Sequence, residues 1–138
     1  MIVSRTFEVF TKGNDDVIDL TPALRNAIRE SELTRGTATL FVTGSTAGLT
    51  TIEFEPGLVA DLAAAFEAIA PRSRVYAHNE RWHDDNGHAH IRAALLGPSL
   101  VIPFADRVPL LGTWQQVVLV DFDTRPRRRE IVCQLMGE

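Results

Sequence analysis

The amino-acid sequence predicts an α+β fold, a mostly antiparallel β-sheet or sandwich with two main helices and a short third grouped against it. Two observations carry this expectation. Six or seven segments have the β-branched, alternating composition of strands, whereas few stretches show helical spacing of apolar residues. The strands also follow one another through short turns, which calls for antiparallel pairing. At 138 residues the chain has the size of one domain, and no repeat, linker or low-complexity segment divides it.

Taken in order, Ile2 to Phe10 alternates apolar and polar residues as a half-buried strand does, and Lys12-Gly13-Asn14-Asp15-Asp16 supplies turn chemistry. Val17-Ile18-Asp19 follows as a short strand. Thr21 and Pro22 read as N-cap and first helical residue of a helix over Pro22 to Ser31, with Leu24, Ala27 and Ile28 on its apolar face. Thr37 to Thr43 has strand composition, broken by Gly44 before the Thr-rich Ser45 to Glu53. Such a joint is either a bend or a place where the backbone comes close to something. It holds no Gly-x-Ser-x-Gly elbow or phosphate loop, so Ser45 is not read as a nucleophile.

Leu58, Leu62, Phe66 and Ile69 recur at helical spacing after Pro56 and stop at Pro71, defining the second helix. Ile91 to Leu96 predicts a short helix that begins where the histidines end and closes at Gly97-Pro98. Leu100 to Phe104, Val117 to Phe122 and Glu130 to Leu135 complete the strands.

With 45% hydrophobic and 23% charged residues and a formal charge of −4, the composition is that of a soluble globular protein and gives no support for nucleic-acid binding. The run Arg125-Pro126-Arg127-Arg128-Arg129 is read as a solvated turn. No secretory pattern opens the sequence and no apolar run reaches the ~20 residues of a membrane helix. A cytoplasmic protein without membrane contact is therefore expected. Cys133 stands alone, which excludes an internal disulfide, and its surroundings are those of a buried strand.

The informative stretch is His78 to His90, which holds all 4 histidines together with Glu80, Asp84, Asp85 and Asn86. These side chains bind divalent metals or move protons at neutral pH. His88-x-His90 puts two imidazoles on one face of an extended chain, but on opposite sides of a helix at ~100° per residue. A helix start beside them would favour a phosphate-bearing ligand. Zinc suits imidazole ligands, whereas magnesium would lean on Asp84, Asp85 or Glu53. Metal binding, metal-free acid/base chemistry and a structural polar network all remain open on the residues alone. Trp82 is expected as a half-buried anchor.

Four motifs in order resemble the YjbQ family of secondary thiamine-phosphate synthase-like proteins. They are Ser45 to Glu53, Tyr76-x-His78, Asp85 to His90 leading into Ile91 to Gly97, and Leu111-Gly112-Thr113-Trp114-Gln115. The resemblance implies a compact α+β homotrimer with a histidine-rich pocket able to hold a divalent metal, zinc or magnesium. It also implies a transferase that joins hydroxymethylpyrimidine diphosphate to a thiazole phosphate. Its matching positions make His78, His88 and His90 the metal candidates and Asp85, Glu53 and Arg92 the catalytic ones, Arg92 with Arg81 neutralising the departing diphosphate. Thr113-Trp114-Gln115 would be framework or pocket wall. Many family members carry histidine where this chain has Gly44, and proline where it has His88. The paired change leads to the expectation that His88 takes over the lost imidazole's role. A non-catalytic binding trimer and a hydrolase using metal-bound water are the alternatives.

Overall fold

The computed structural model describes residues 1–138. Strand β1 (Ile2–Thr11) and β2 (Asp16–Asp19) precede helix α1 (Thr21–Ser31), and β3 (Arg35–Thr43) and β4 (Ala47–Ile52) precede α2 (Pro56–Ile69). Two further helices, α3 (Ala77–Trp82) and α4 (Gly87–Leu96), lead into β5 (Ser99–Ala105), β6 (Val108–Pro109), β7 (Gln116–Asp121) and β8 (Arg127–Gly137). All pairings are antiparallel, in a five-stranded sheet of order β1-β8-β3-β5-β6 and a three-stranded sheet of order β2-β7-β4.

Side-chain alternation turns this topology into layers. Leu40 and Val42 of β3, Ile102 and Phe104 of β5, and Ile131, Cys133 and Leu135 of β8 face Leu49 of β4 and Val117 and Leu119 of β7 across the main core, which α1 closes with Leu24 and Ile28. The other face of β7, Val118 and Val120, packs with Phe122 against Phe66 of α2 and Ala89 and Ala93 of α4. The three-stranded sheet is therefore covered on both faces, which is why Val117 to Val120 is continuously apolar. Phe66 meets Phe122 edge to face at 4.7 Å, and burying such a ring contributes about 2 kcal/mol.

Four expectations are corrected. Thr21 does not cap α1: its hydroxyl accepts from the backbone N–H of Val117, and Leu20 occupies the cap position without a side-chain bond. The last helix does not begin after the histidines but contains His88 and His90 from its first turn. Helix α3 was not anticipated at all, since a single six-residue turn and a half shows no period. The arginine run is not a solvated turn, because Arg127 to Arg129 open β8 and Arg129 is only 7% exposed. Arg127 and Arg128 pair with Asp123 and Glu8. Cys133 is buried between strands as expected, and burial pushes its thiol up to about 11.

After Gly44 the joint does let the backbone come close to something, at Gly48, where a Cβ would lie 2.9 Å from Gly97 O. Leu49 N–H donates to Gly97 O at 3.0 Å and Val42 N–H to Pro98 O at 2.9 Å, so the end of α4 is tied to both β3 and β4. That tie fixes where α4 starts, and with it the histidines.

Candidate functional site

Helices α3 and α4 meet at a corner built by Asn79 and Gly87. Asn79 Oδ1 accepts the Gly87 N–H at 2.8 Å, satisfying one of the free donors at the start of α4. A Cβ on Gly87 would lie 2.7 Å from Tyr76 Cβ, so only glycine permits this approach. Between the helices His83 adopts a left-handed conformation at φ 55° and reverses the chain.

This corner places His78 of α3 beside His90 of α4, with ring centroids 4.3 Å apart. His78 Nδ1 lies 3.1 Å from Asp84 Oδ1. Because a carboxylate only accepts, that contact puts a proton on Nδ1 and turns Nε2 away from Asp84. Burial holds the His90 imidazole below its ordinary value of 6.5, and the neighbouring His78 lowers it further, against the pull of Asp123 and Asp84. Two rings this close do not readily carry two charges, so the pair suits a role in which one ring accepts while the other donates.

His90 also lines a pocket with Ala93 and Ala94 of α4 and with Gly44, Ser45 and Ala47 from the β3–β4 joint. At its border Asp123 accepts from the Thr46 hydroxyl at 2.9 Å and from the Thr124 N–H at 2.7 Å. Burial would raise the Asp123 carboxyl, but these bonds and Arg127 prevail and hold it below the usual range.

The remaining site expectations fall elsewhere. Asp85 is exposed and accepts from the Thr124 hydroxyl at 2.9 Å, at the rim beside Asp84. Glu53 lines a separate hollow with Asp19, Glu55, Thr113 and Trp114, so Thr113 and Trp114 of that motif form a wall there and not at His90, while Gln115 donates to the Thr51 hydroxyl at 3.1 Å. Arg92 is fully buried, its guanidinium donating to Asp15 at 2.9 Å, to Glu67 at 2.5 Å and to Ala70 O. It therefore bolts α4 to the β1–β2 turn and the end of α2, and has no donor free for a departing diphosphate. Arg81 sits over the ring of Trp82 at 5.5 Å, and Trp82 is 64% exposed, not the half-buried anchor expected.

His88 also departs from expectation. The phase of α4 turns it away from His90, into the interior beside Tyr76, whose ring centroid is 6.5 Å away. It is 1% exposed and neither ring nitrogen has a hydrogen-bond partner. It cannot substitute for an imidazole at position 44, because Gly44 lies on the His90 side of the helix. Asp84, a magnesium candidate on the residues alone but not among the positions the resemblance implies, is the carboxylate that meets His78.

These features define a small domain of two packed sheets and a helical layer, with a pocket along one helix that is lined by one of two adjacent imidazoles. The chain belongs to the YjbQ-like UPF0047 family, whose model matches residues 5–138. A UPF0047 protein of Methanocaldococcus jannaschii is 34% identical over 133 residues, covering 96% of this chain and 93% of that one. YugU of Bacillus subtilis is 28% identical over 96% of this chain and 98% of its own length. Among solved structures, a YbjQ-like protein of unknown function from Sulfolobus solfataricus superposes with a TM-score of 0.90 at 28% identity, covering 100% of both chains. A hypothetical protein from Aeropyrum pernix gives 0.91 at 28% identity over 99% of both.

Proposed function

We propose that the chain is a transferase acting on small phosphorylated heterocycles, joining hydroxymethylpyrimidine diphosphate to a thiazole phosphate and releasing pyrophosphate. The observation that carries this reading is the His78–His90 pair, with Asp84 on His78 and with His90 lining a pocket along α4. In this reaction the bond from the pyrimidine methylene carbon to the diphosphate oxygen breaks, and its electron pair leaves on pyrophosphate. The thiazole nitrogen supplies the pair for the new carbon–nitrogen bond. No proton has to be taken from the nucleophile, so the task of the protein is to neutralise charge on the departing oxygen and to align the two rings. In this reading an N–H of His90 donates to that oxygen, while the Asp84 contact holds the His78 ring in one tautomer.

The donor set falls short of a resident metal centre. Zinc takes three or four protein ligands, whereas no group of three His, Cys, Asp or Glu side chains is gathered in this chain, and Asp84 faces the back of His78. A divalent cation therefore enters the proposal as the counter-ion of the diphosphate, magnesium keeping several of its waters. We further propose that the chain works as a homotrimer.

The test is pyrophosphate release from the two precursors with magnesium, with and without chelator. Release that the chelator stops, and that falls about a hundredfold in His78→Ala and His90→Ala, is expected. No release under any metal supplement would overturn the transferase and leave a small-molecule-binding protein.

A further inference from the structure

Arg129 presents an unspent pair of donors next to the pocket. Its guanidinium is clamped from behind: Nε donates to Asp121 Oδ2 at 2.7 Å, and Nη2 donates to Asp121 Oδ1 at 2.9 Å and to the Thr46 hydroxyl at 2.6 Å. Asp121 is itself buried and held by the Thr11 hydroxyl and the Asp123 N–H, so the fork cannot swing. The side chain is 8% exposed. Yet Nη1, which carries two of the five guanidinium N–H groups, makes no hydrogen bond.

Where Nη1 points is shown by Gly44. A Cβ built there would come within 2.8 Å of Arg129 Nη1 and 3.9 Å of its Cζ, and would meet nothing else within 4 Å. Any side chain at position 44 would cover those donors, and glycine leaves them bare. Gly44 lines the same pocket as His90 and Ser45. A nearly buried cation whose orientation is fixed by three bonds, with its open edge turned to a gap left by a glycine, has the form of a recognition donor and not only of a strut.

We propose that Arg129 Nη1 is a phosphate-anchoring donor of this pocket, reaching a diphosphate oxygen through the space that Gly44 leaves free. The assignment rests on the transferase reading above and names the group that holds the leaving diphosphate while His90 faces it. Asp121 already offsets much of the arginine's charge, so selectivity comes from the direction of two N–H groups more than from net charge, and a tetrahedral oxyanion presents the acceptors to meet them.

The experiment is calorimetric titration of the full chain with magnesium pyrophosphate at fixed ionic strength. Arg129→Lys keeps a cation for Asp121 but removes Nη1, and Gly44→Ala sets a methyl within 2.8 Å of Nη1 while leaving both Arg129 and Asp121 in the chain. Thermal unfolding identifies which variants are folded. Each folded variant is expected to bind pyrophosphate about tenfold or more weakly than the native chain. Unchanged affinity in a folded Gly44→Ala or Arg129→Lys overturns the assignment. His90→Ala separates the two ideas: if it alone weakens binding, the transferase reading stands and the arginine's role falls. If the native chain does not bind pyrophosphate, both fall.

Discussion

His88 is the side chain whose chemistry fits its surroundings least. Both of its nitrogens are buried without a partner, and burial, then Arg92 and Arg72, holds its pKa below 6.5 despite Asp15 and Glu67. His90 is depressed in the same direction. The unfolded chain therefore takes up protons first as pH falls through 6.5, so stability is level above that value and declines below it, down to the lowered folded values. Urea midpoints followed from about pH 8 to about pH 5 should show this decline. His88→Leu removes two unsatisfied polar atoms and should raise stability by about 1 kcal/mol while making the acid slope shallower. A steeper slope or a less stable variant would mean that the ring finds a partner. At the pair itself, Asp84→Asn should keep the fold but lower pyrophosphate release about a hundredfold or more, because an amide can turn its NH2 toward Nδ1 and so no longer fixes the His78 tautomer as an acceptor-only carboxylate does. Circular dichroism and the release assay together check it.

At the scale of elements, the α3–α4 corner decides the site. Gly87→Ala would press a methyl on Tyr76 and on the Asn79 oxygen that caps α4, and should cost about 1–3 kcal/mol in urea unfolding together with loss of release. A stable, active Gly87→Ala would show that the corner yields. This element also marks where reading the residues stops. Apolar spacing over Leu58 to Ile69 and the stop at Pro71 made α2 plain, and the strands showed in their alternation. Six residues of α3 and two of β6 are too short for any period to declare itself. Crowding of four histidines pointed to the segment that holds the His78–His90 pair, and helical phase told that His88 and His90 must part if α4 included both. Which of them met His78 was beyond the chain's local pattern, because it depends on where Gly97 and Pro98 dock on β3 and β4. Arg129 escaped notice for a similar reason: one of its partners, Thr46, is 83 residues away, and a local run of arginines resembles a solvated turn.

At the scale of the whole molecule, the five-stranded sheet has only one covered face. Outward from it stand Ile2, Phe41, Val101 and Met136, with Thr37 and Thr39 between them. Exposed apolar surface in such a row is what subunit contacts cover, and it is the surface the proposed homotrimer would use. Light scattering should give a mass of three chains for the native protein and of one for Phe41→Glu combined with Val101→Glu. A native mass of one chain would remove the trimer.

The order of strands in that sheet also bears on biosynthesis. Strand β1 hydrogen-bonds only to β8, with Ile2 opposite Met136, and β8 in turn separates β1 from β3. While the ribosome is still making the middle of the chain, the emerging amino-terminal segment has no neighbour to pair with. Until β8 has been made, Ile2 to Thr11 has no strand to pair with and stays an open β-edge. Seating β8 between β1 and β3 joins residues as far apart as Ile2 and Met136, the kind of long-range pairing that slows folding.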